Sequence, residues 1–220
     1  MKIEDLAGTK AHQRYRLMDG TIVPGVTTIV GILNKPALIT WANKLGLEGI
    51  DVNKYVDKTA VIGTLAHYLV QCYLSNSKPS LDEYPPDIID RAENSLIKFW
   101  EWEKNHAIEP LKLEEQLVSE KHKYGGTIDC LCRLNGKLTL IDFKTGKAIF
   151  DEMIIQVSAY RQLLIESGFK VEQVHILRIG RDQREGFEDR LISNGFLDIQ
   201  WEIFKHLLEI YYLRSVKNVC

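Results

Sequence analysis

The sequence predicts an α/β protein in which helices flank a mixed β-sheet, and three observations support this prediction. Asn135-Gly136 separates two alternating apolar runs, a strong hairpin signal because both turn positions need positive φ. Helical periodicity precedes and follows this hairpin, over residues 87–105 and 151–166. A strand of buried composition then covers residues 171–179. Strands that alternate with helices in this way are typical of a sheet covered by helices.

The N-terminal half is predicted to contain a short hairpin and then helices. Asp19-Gly20 separates the strand-like residues 12–17 and 21–23, and Pro24-Gly25 ends the second of them. Helical patterns follow over residues 37–45 and 48–74, the second interrupted at Gly63, before a proline-containing loop at residues 75–86.

The C-terminal half is predicted to supply the sheet. Its strands cover residues 111–118, the hairpin at 125–144, and residues 171–179 and 187–192, the last as an edge strand. An amphipathic helix over residues 198–214 ends the pattern.

The chain has 220 residues, of which 45% are hydrophobic, and is predicted to form one domain with a substantial core. Within it, residues 1–106 form the N-terminal hairpin and helical part, and residues 107–220 form the α/β core. The net charge of −2 gives no general basic field, so any binding of nucleic acid must depend on local patches and on metal. The lack of a signal peptide and of a transmembrane-length run predicts a cytoplasmic protein.

Four cysteines, Cys72, Cys130, Cys132 and Cys220, are scattered along the chain. They include no CxxC pair and no Cys/His cluster with zinc spacing. Cys130 and Cys132 share one face of a predicted strand, so they are expected to be core thiols.

The hairpin at residues 125–144 carries the residues with the clearest chemical meaning. Asp129 lies on its first strand, and Asp142 and Lys144 share one face of its second strand because the strand period is two. A salt-bridged surface hairpin would need no further function, but apolar residues surround Asp142 and predict a strand buried on both faces. Two converging carboxylates suit Mg²⁺ or Mn²⁺, and a nearby lysine can act on an attacking water or on a phosphate.

Two predicted helices add candidates. His67 lies beside an apolar stripe, and from periodicity alone it is expected to be a structural histidine. Gln156 and Tyr160 are four residues apart on the helix after the hairpin, so they share a face.

Four motifs then occur in a consistent order. Gly63-Thr64-Leu65-Ala66-His67 precedes Gly126-Thr127-Ile128-Asp129, which is followed by Asp142-Phe143-Lys144-Thr145-Gly146 and by Gln156-Val157-Ser158-Ala159-Tyr160. In this order the chain resembles the PD-(D/E)XK nuclease superfamily, specifically its RecB-like, Cas4-like branch. Residues 19–33 are similar to the start of stand-alone phage and mitochondrial exonucleases of that branch. The resemblance implies a restriction-endonuclease-like core.

The resemblance also implies roles for individual residues. Asp129 and Asp142 correspond to metal-binding acids, with the backbone carbonyl of Phe143 as a further ligand, and Lys144 corresponds to the catalytic lysine. His67 corresponds to an additional metal ligand, which replaces the structural role expected from periodicity. Gln156 and Tyr160 correspond to a helix pair that orients the site and contacts DNA. The family's preceding glutamate corresponds to Glu114 or Glu115, and Glu114 is preferred.

Some relatives carry four cysteines around an iron–sulfur cluster, but the spacing here differs, so no cluster is expected. The implied function is a Mg²⁺- or Mn²⁺-dependent DNA nuclease. An exonuclease on DNA ends or single strands in phage or mobile-element recombination and repair, bacterial or phage-encoded, is the first choice. Phage recombination or replication proteins are possible partners. The alternatives are a structure- or sequence-specific endonuclease and a catalytically silent DNA-binding module.

Overall fold

The computed structural model describes residues 14–33 and 35–216 of the chain, and its N-terminal part is a small hairpin followed by helices. Strand β1 (Tyr15–Arg16) pairs antiparallel with β2 (Ile22–Val23). Four helices follow in order: α1 (Val26–Val30), α2 (Pro36–Leu47), α3 (Val52–Leu74) and α4 (Pro86–Glu103).

The C-terminal part contains a five-stranded mixed sheet. Its strands are β3 (Ile108–Ser119), β4 (Tyr124–Leu134), β5 (Lys137–Lys144), β6 (Gln173–Ile179) and β7 (Phe187–Ile192), and they lie side by side in chain order. Helix α5 (Asp151–Glu166) connects β5 to β6, which are parallel because the chain crosses back between them, whereas the other pairs are antiparallel. Helix α6 (Asn194–Ser215) follows β7.

Two apolar cores lie on opposite faces of the sheet. The first, here called the α5 core, contains residues of α1, α5 and α6, and from the sheet Ile128, Leu140 and Ile176. The second, here called the α3 core, contains residues of α3 and α4, and from the sheet Cys130, Ile141 and Leu177. The alternation of Leu140 and Ile141 between the two cores shows that β5 is buried on both faces.

The prediction of a mixed sheet flanked by helices is confirmed. The turn of the central hairpin is at Asn135-Gly136, with φ of 51° and 83°, as the sequence indicates. The predicted break at Gly63 is wrong, since α3 runs through it. A Cβ at Gly63 would lie 3.0 Å from Thr145 Oγ1, so this glycine serves close packing of α3 against the end of β5. The predicted strand start at residue 12 lies outside the described residues.

No helix among the described residues is long and apolar enough to cross a membrane. Cys72, Cys130 and Cys132 are buried free thiols, and Cys220 lies outside the described residues. Cys130 and Cys132 both belong to the α3 core, as their shared strand face predicts.

The central strands separate before they end. The β4–β5 ladder stops at the pair Cys130 and Ile141. Beyond this pair, residues 124–128 continue the ladder with β3, and residues 142–144 continue the ladder with β6. The two strands therefore form a fork, and the next residues at its base are Asp129 and Asp142.

At the level of Asp129, alternate residues of β3 and of β4 change the core that they face, which is here called the exchange of faces. Ile128 contributes to the α5 core and Cys130 to the α3 core, although residues two apart on a regular strand share a face. On β3, Leu113 packs against the α3 core and Leu117 against the α5 core. Glu114 lies between them with φ of 49°, and this left-handed backbone accounts for the exchange on β3 because it rotates the chain out of the strand conformation.

Candidate metal centre at the fork in the sheet

Asp129 and Asp142 lie at the base of the fork, and the fork explains why an acid is accommodated on each strand. The carboxylate of Asp129 accepts a 2.8 Å hydrogen bond at Oδ2 from the Phe143 amide, across the gap between the strands. Its other oxygen, Oδ1, lies 3.6 Å from His67 Nδ1. Asp129 thus connects β4 to both β5 and α3.

Within the described residues, one group of three side chains has the geometry to hold a metal ion. It consists of His67, Glu114 and Asp129, each offering one ligand atom, and these atoms lie within 4.8 Å of one another. The three residues come from α3, β3 and β4. The left-handed backbone at Glu114 and the exchange of faces there bring its carboxylate to this group, and strain of this kind is often found at functional sites.

Asp142 does not belong to that group of three. Its side chain is almost fully buried, and its Oδ2 forms an ion pair with Lys144 Nζ at 2.6 Å. Neither carboxylate oxygen takes part in a hydrogen bond of regular geometry within the described residues. A buried carboxylate oxygen without a hydrogen bond is costly, and a bound cation would offset that cost.

The charges at the fork depend strongly on one another. Burial raises the pKa of the Asp142 carboxyl to about 6, although the Lys144 charge opposes this rise. Burial also acts to raise the pKa of Asp129, but His67 and Lys144 outweigh it and hold that pKa below its ordinary value. Burial alone would lower the pKa of Lys144, yet Asp142 and Asp129 raise it, so the lysine is held as an ammonium ion.

The histidine is held in the same way. Burial acts to lower the pKa of His67, but the nearby Asp129 carboxylate raises it above its ordinary value. The imidazole also packs edge-on against the Phe143 ring, with centroids 6.0 Å apart, and that ring in turn packs against Phe99 of α4. The aromatic contacts fix the position of the imidazole beside Asp129.

The Tyr160 ring packs into the site because Gly126 has no side chain. A Cβ at Gly126 would lie 2.6 Å from Tyr160 Cε1, so the ring occupies the space that any other residue would fill. Gln156 Nε2 donates a 2.9 Å hydrogen bond to the Tyr160 hydroxyl, as their i, i+4 spacing on α5 allows. Burial and the Asp142 carboxylate raise the pKa of Tyr160 well above its ordinary value, so its hydroxyl keeps its proton.

The donor set fits a hard divalent cation. Two carboxylates and one imidazole converge from two strands and one helix. Asp142, paired with Lys144, adds a third carboxylate at the fork, so oxygen atoms predominate. Mg²⁺ and Mn²⁺ prefer such ligands, whereas structural zinc sites are commonly rich in thiolates. Asp142 Oδ1, which accepts no hydrogen bond from the described residues, adds an acceptor that a cation would satisfy.

The residues singled out from sequence are placed as follows. Three of them, His67, Glu114 and Asp129, are brought together in one group, and Glu115 is not part of it. Asp142 and Lys144 form an ion pair at the fork, and Gln156 reaches the site through Tyr160. The Phe143 amide contacts Asp129, and the ligand role of the Phe143 carbonyl stays a prediction.

Sequence reasoning missed Tyr15 and Thr127. The Tyr15 hydroxyl lies 3.0 Å from Thr127 Oγ1, two residues before Asp129. The Gly125-Gly126 pair is the signal that could have indicated an aromatic contact, because adjacent glycines in a strand often mark close approach of another group.

The chain has structural neighbours at low sequence identity but no sequence match. No protein-family model matches the chain, and no curated protein sequence matches it significantly. A solved structure from Eubacterium rectale, provisionally named an exonuclease, aligns with a TM-score of 0.45 and 11% identity over 66% of this chain. The aligned part spans 64% of that protein's length. A solved protein designated SSO0001 aligns with a TM-score of 0.43 and 12% identity over 93% of this chain and 84% of its own.

Proposed function

We propose that the chain is a metal-dependent DNA nuclease that hydrolyses phosphodiester bonds at the fork. The observation that carries the proposal is the convergence of His67, Glu114 and Asp129 within 4.8 Å, next to the buried Asp142–Lys144 pair. The resemblance of the four motifs to PD-(D/E)XK nucleases supports the same conclusion independently of the geometry. In this proposal residues 107–220 form the catalytic core, and residues 1–106 supply His67.

His67, Glu114, Asp129 and Asp142 would hold Mg²⁺ or Mn²⁺, with the Phe143 carbonyl as a further ligand. Bound there, the cation would supply Lewis acidity toward a phosphate oxygen and make a water molecule easier to deprotonate. The carboxylates fix the position of positive charge, and the low exposure of Asp142 limits competing water.

Lys144 provides the second positive charge of the site. Its ammonium group is anchored by Asp142 at 2.6 Å, and about one sixth of the side chain remains exposed (16%). An ammonium group at this position can donate a hydrogen bond to a phosphate oxygen as negative charge develops during hydrolysis.

Tyr160 and Gln156 complete the wall of the site formed by α5. The Tyr160 hydroxyl, kept protonated, can donate to a DNA phosphate while Gln156 fixes its direction. We further propose an exonuclease that acts on DNA ends or single strands in phage or mobile-element recombination and repair. This finer choice rests on the similarity of residues 19–33 to stand-alone exonucleases.

The proposal is tested with end-labelled linear DNA and closed circular DNA, each single- and double-stranded, incubated with Mg²⁺, Mn²⁺ or EDTA. We expect divalent-dependent degradation that requires a free end. Nicking of closed circles would instead identify an endonuclease. Lack of cleavage of every substrate with either ion would contradict the enzyme proposal and leave a DNA-binding module.

A variant separates catalysis from binding. Lys144→Ala should reduce cleavage by about 10²-fold or more, because a charge that stabilises the transition state is lost. Binding of a labelled oligonucleotide in Ca²⁺ should change little. Lys147→Ala, on the exposed turn after β5, is the matched control and should retain cleavage.

A further inference from the structure

The N-terminal hairpin, here residues 15–25, contacts β4 on the edge that β5 leaves at the fork. The Gly125 amide donates a 3.0 Å hydrogen bond to the Pro24 carbonyl, and Gly25 forms a parallel bridge with Gly125. An amide in a strand points to one edge only, so Gly125 directs this bond away from β3. Before the fork, β5 lies along this edge of β4. Beyond the fork, the N-terminal hairpin lies along the same edge.

Tyr15 packs against β4 at its glycine pair. Its ring occupies the space above two glycines: a Cβ at Gly25 would lie 2.8 Å from Tyr15 Cε2, and a Cβ at Gly125 would overlap the Tyr15 ring and its Cβ. Its hydroxyl lies 3.0 Å from Thr127 Oγ1. Tyr15 is thus fixed both sterically and by a hydrogen bond, 112 residues away in sequence from its partner.

The Gly125-Gly126 pair lies between two tyrosine rings that come from different parts of the chain. Tyr15 covers Gly125, and Tyr160 covers Gly126, the next residue along β4, where side chains point to the opposite face. The segment between this pair and Asp129 is short: Thr127 and Ile128. A displacement of Tyr15 would be transmitted over these two residues to the carboxylate of Asp129.

We propose that the N-terminal hairpin replaces β5 as the neighbour of β4 beyond the fork, and that Tyr15 is the positioning residue through which it sets the place of Asp129 at the cation site. The inference rests on the proposed metal centre. Tyr15 is not one of the proposed metal ligands. It acts through Thr127 and the backbone of β4.

The test measures Mn²⁺ binding to the full chain by titration calorimetry in the absence of DNA. Tyr15→Phe removes the hydroxyl and keeps the ring, and it should weaken Mn²⁺ binding by about three- to ten-fold, the effect expected when one supporting hydrogen bond is lost. Thr127→Val should have a similar effect. Because both variants remove the Tyr15–Thr127 hydrogen bond, their effects on Mn²⁺ binding should be less than additive in the double variant.

Tyr73→Phe is the matched control, since it also removes one phenol hydrogen bond, from Tyr73 to Glu103 at 2.6 Å between α3 and α4. It should leave Mn²⁺ binding unchanged. Thermal unfolding in EDTA gives the stability of each variant separately. Thr127→Ser retains a hydroxyl and should restore most of the affinity lost in Thr127→Val.

The outcomes separate this inference from the proposed function. If the wild type binds Mn²⁺ and cleaves DNA but Tyr15→Phe binds Mn²⁺ equally well, Tyr15 is structural and the inference is overturned while the nuclease proposal stands. If Tyr15→Phe and Thr127→Val weaken binding additively, the two act separately and the inference also fails. If the wild type binds no Mn²⁺, the metal centre is absent and both proposals fall.

Discussion

The Phe143 amide donates a 2.8 Å hydrogen bond to the Asp129 carboxylate and so joins β4 to β5 at the level where their backbone ladder has stopped. One oxygen of Asp129 thereby takes the place of a backbone carbonyl as the acceptor for this amide. The other oxygen lies 3.6 Å from His67 Nδ1. The carboxylate is both a structural link across the fork and a candidate metal ligand. Removing its charge without changing its shape separates these two roles.

Asp129→Asn should abolish stabilisation by Mn²⁺ while the fold remains intact. Ligand that binds only the folded state stabilises it by about 2.7 kcal/mol at one hundred times its Kd, so the wild-type Tm should rise with Mn²⁺ concentration. In the variant, the amide oxygen of the new side chain can still accept the hydrogen bond from the Phe143 amide. Thermal unfolding with Mn²⁺ and with EDTA provides the measurement.

The control for this experiment is Asp198→Asn, which neutralises an exposed acid paired with Arg161 on a helix surface. Its Tm should respond to Mn²⁺ as the wild type does. An equal response in Asp129→Asn would exclude Asp129 from the ligand set.

His67→Ala should weaken Mn²⁺ binding by at least about ten-fold and reduce DNA cleavage, while far-UV circular dichroism remains unchanged. The expectation follows because loss of a ligand costs at least as much as loss of an outer-shell partner, about 10–100-fold. His206→Ala, at a position 77% exposed on α6, is the matched control. Retained Mn²⁺ binding and activity with a lowered Tm would instead show that His67 is a structural histidine.

Gly126→Ala should destabilise the protein by about 1–3 kcal/mol, as is usual when a methyl group is forced into a well-packed site. The added Cβ would lie 2.6 Å from Tyr160, so the ring must move and cleavage should fall as well. Gly46→Ala, in α2 with open space around it, is the control and should be neutral or stabilising. Urea denaturation and cleavage assays measure both effects, and a silent Gly126→Ala would contradict the close contact.

Asp189→Asn should lower stability at neutral pH without affecting Mn²⁺ binding. Its carboxylate receives hydrogen bonds from His175 Nδ1 at 2.7 Å and from Trp102 Nε1 at 2.9 Å, which link β6, β7 and α4. We expect a loss of about 1.5–3 kcal/mol at pH 7, the range for hydrogen bonds to a charged group.

The pH dependence of this loss follows from the direction of the pKa shift. Burial would raise the pKa of Asp189, but the hydrogen bonds from His175 and Trp102 outweigh it and lower that pKa. A lowered acid pKa stabilises the folded state above the unfolded pKa, about 4, and this stability is lost as the pH falls through the folded pKa. The gap between variant and wild type in urea denaturation should therefore narrow below about pH 4. A gap that stays constant down to about pH 3 would show that the charge of Asp189 contributes nothing.

The architecture could be predicted from sequence where a local signal dictates the backbone. Asn135-Gly136 determined the hairpin register because both residues adopt positive φ, and the period of two placed Asp142 and Lys144 on one face. The edge strand Phe187–Ile192 and the helix Asp151–Glu166 have the bounds that their patterns indicate. The predicted helix break at Gly63 was wrong because this glycine serves tertiary packing against Thr145. Helix periodicity contains no information about that contact.

The exchange of faces at Glu114 could not be predicted from the pattern of β3. Glutamate is an unusual residue at positive φ, and nothing local in the sequence indicates it. The choice between Glu114 and Glu115 therefore depended on the resemblance. The alternation of a regular strand assigns side chains to the wrong face on one side of the exchange. Tyr15 was missed for a different reason: its contacts at Gly125 and Thr127 join segments more than a hundred residues apart.

The exchange of faces has an evolutionary consequence. On either side of the exchange, residues of the same strand parity pack into different cores: Leu117 and Ile128 into the α5 core, and Leu113 and Cys130 into the α3 core. The division falls on Glu114 and Asp129 themselves. A substitution in the α3 core can also reach the site through the Phe143 ring, which packs against His67, and one in the α5 core through Tyr160, so both cores restrict how far the surrounding sequence can diverge.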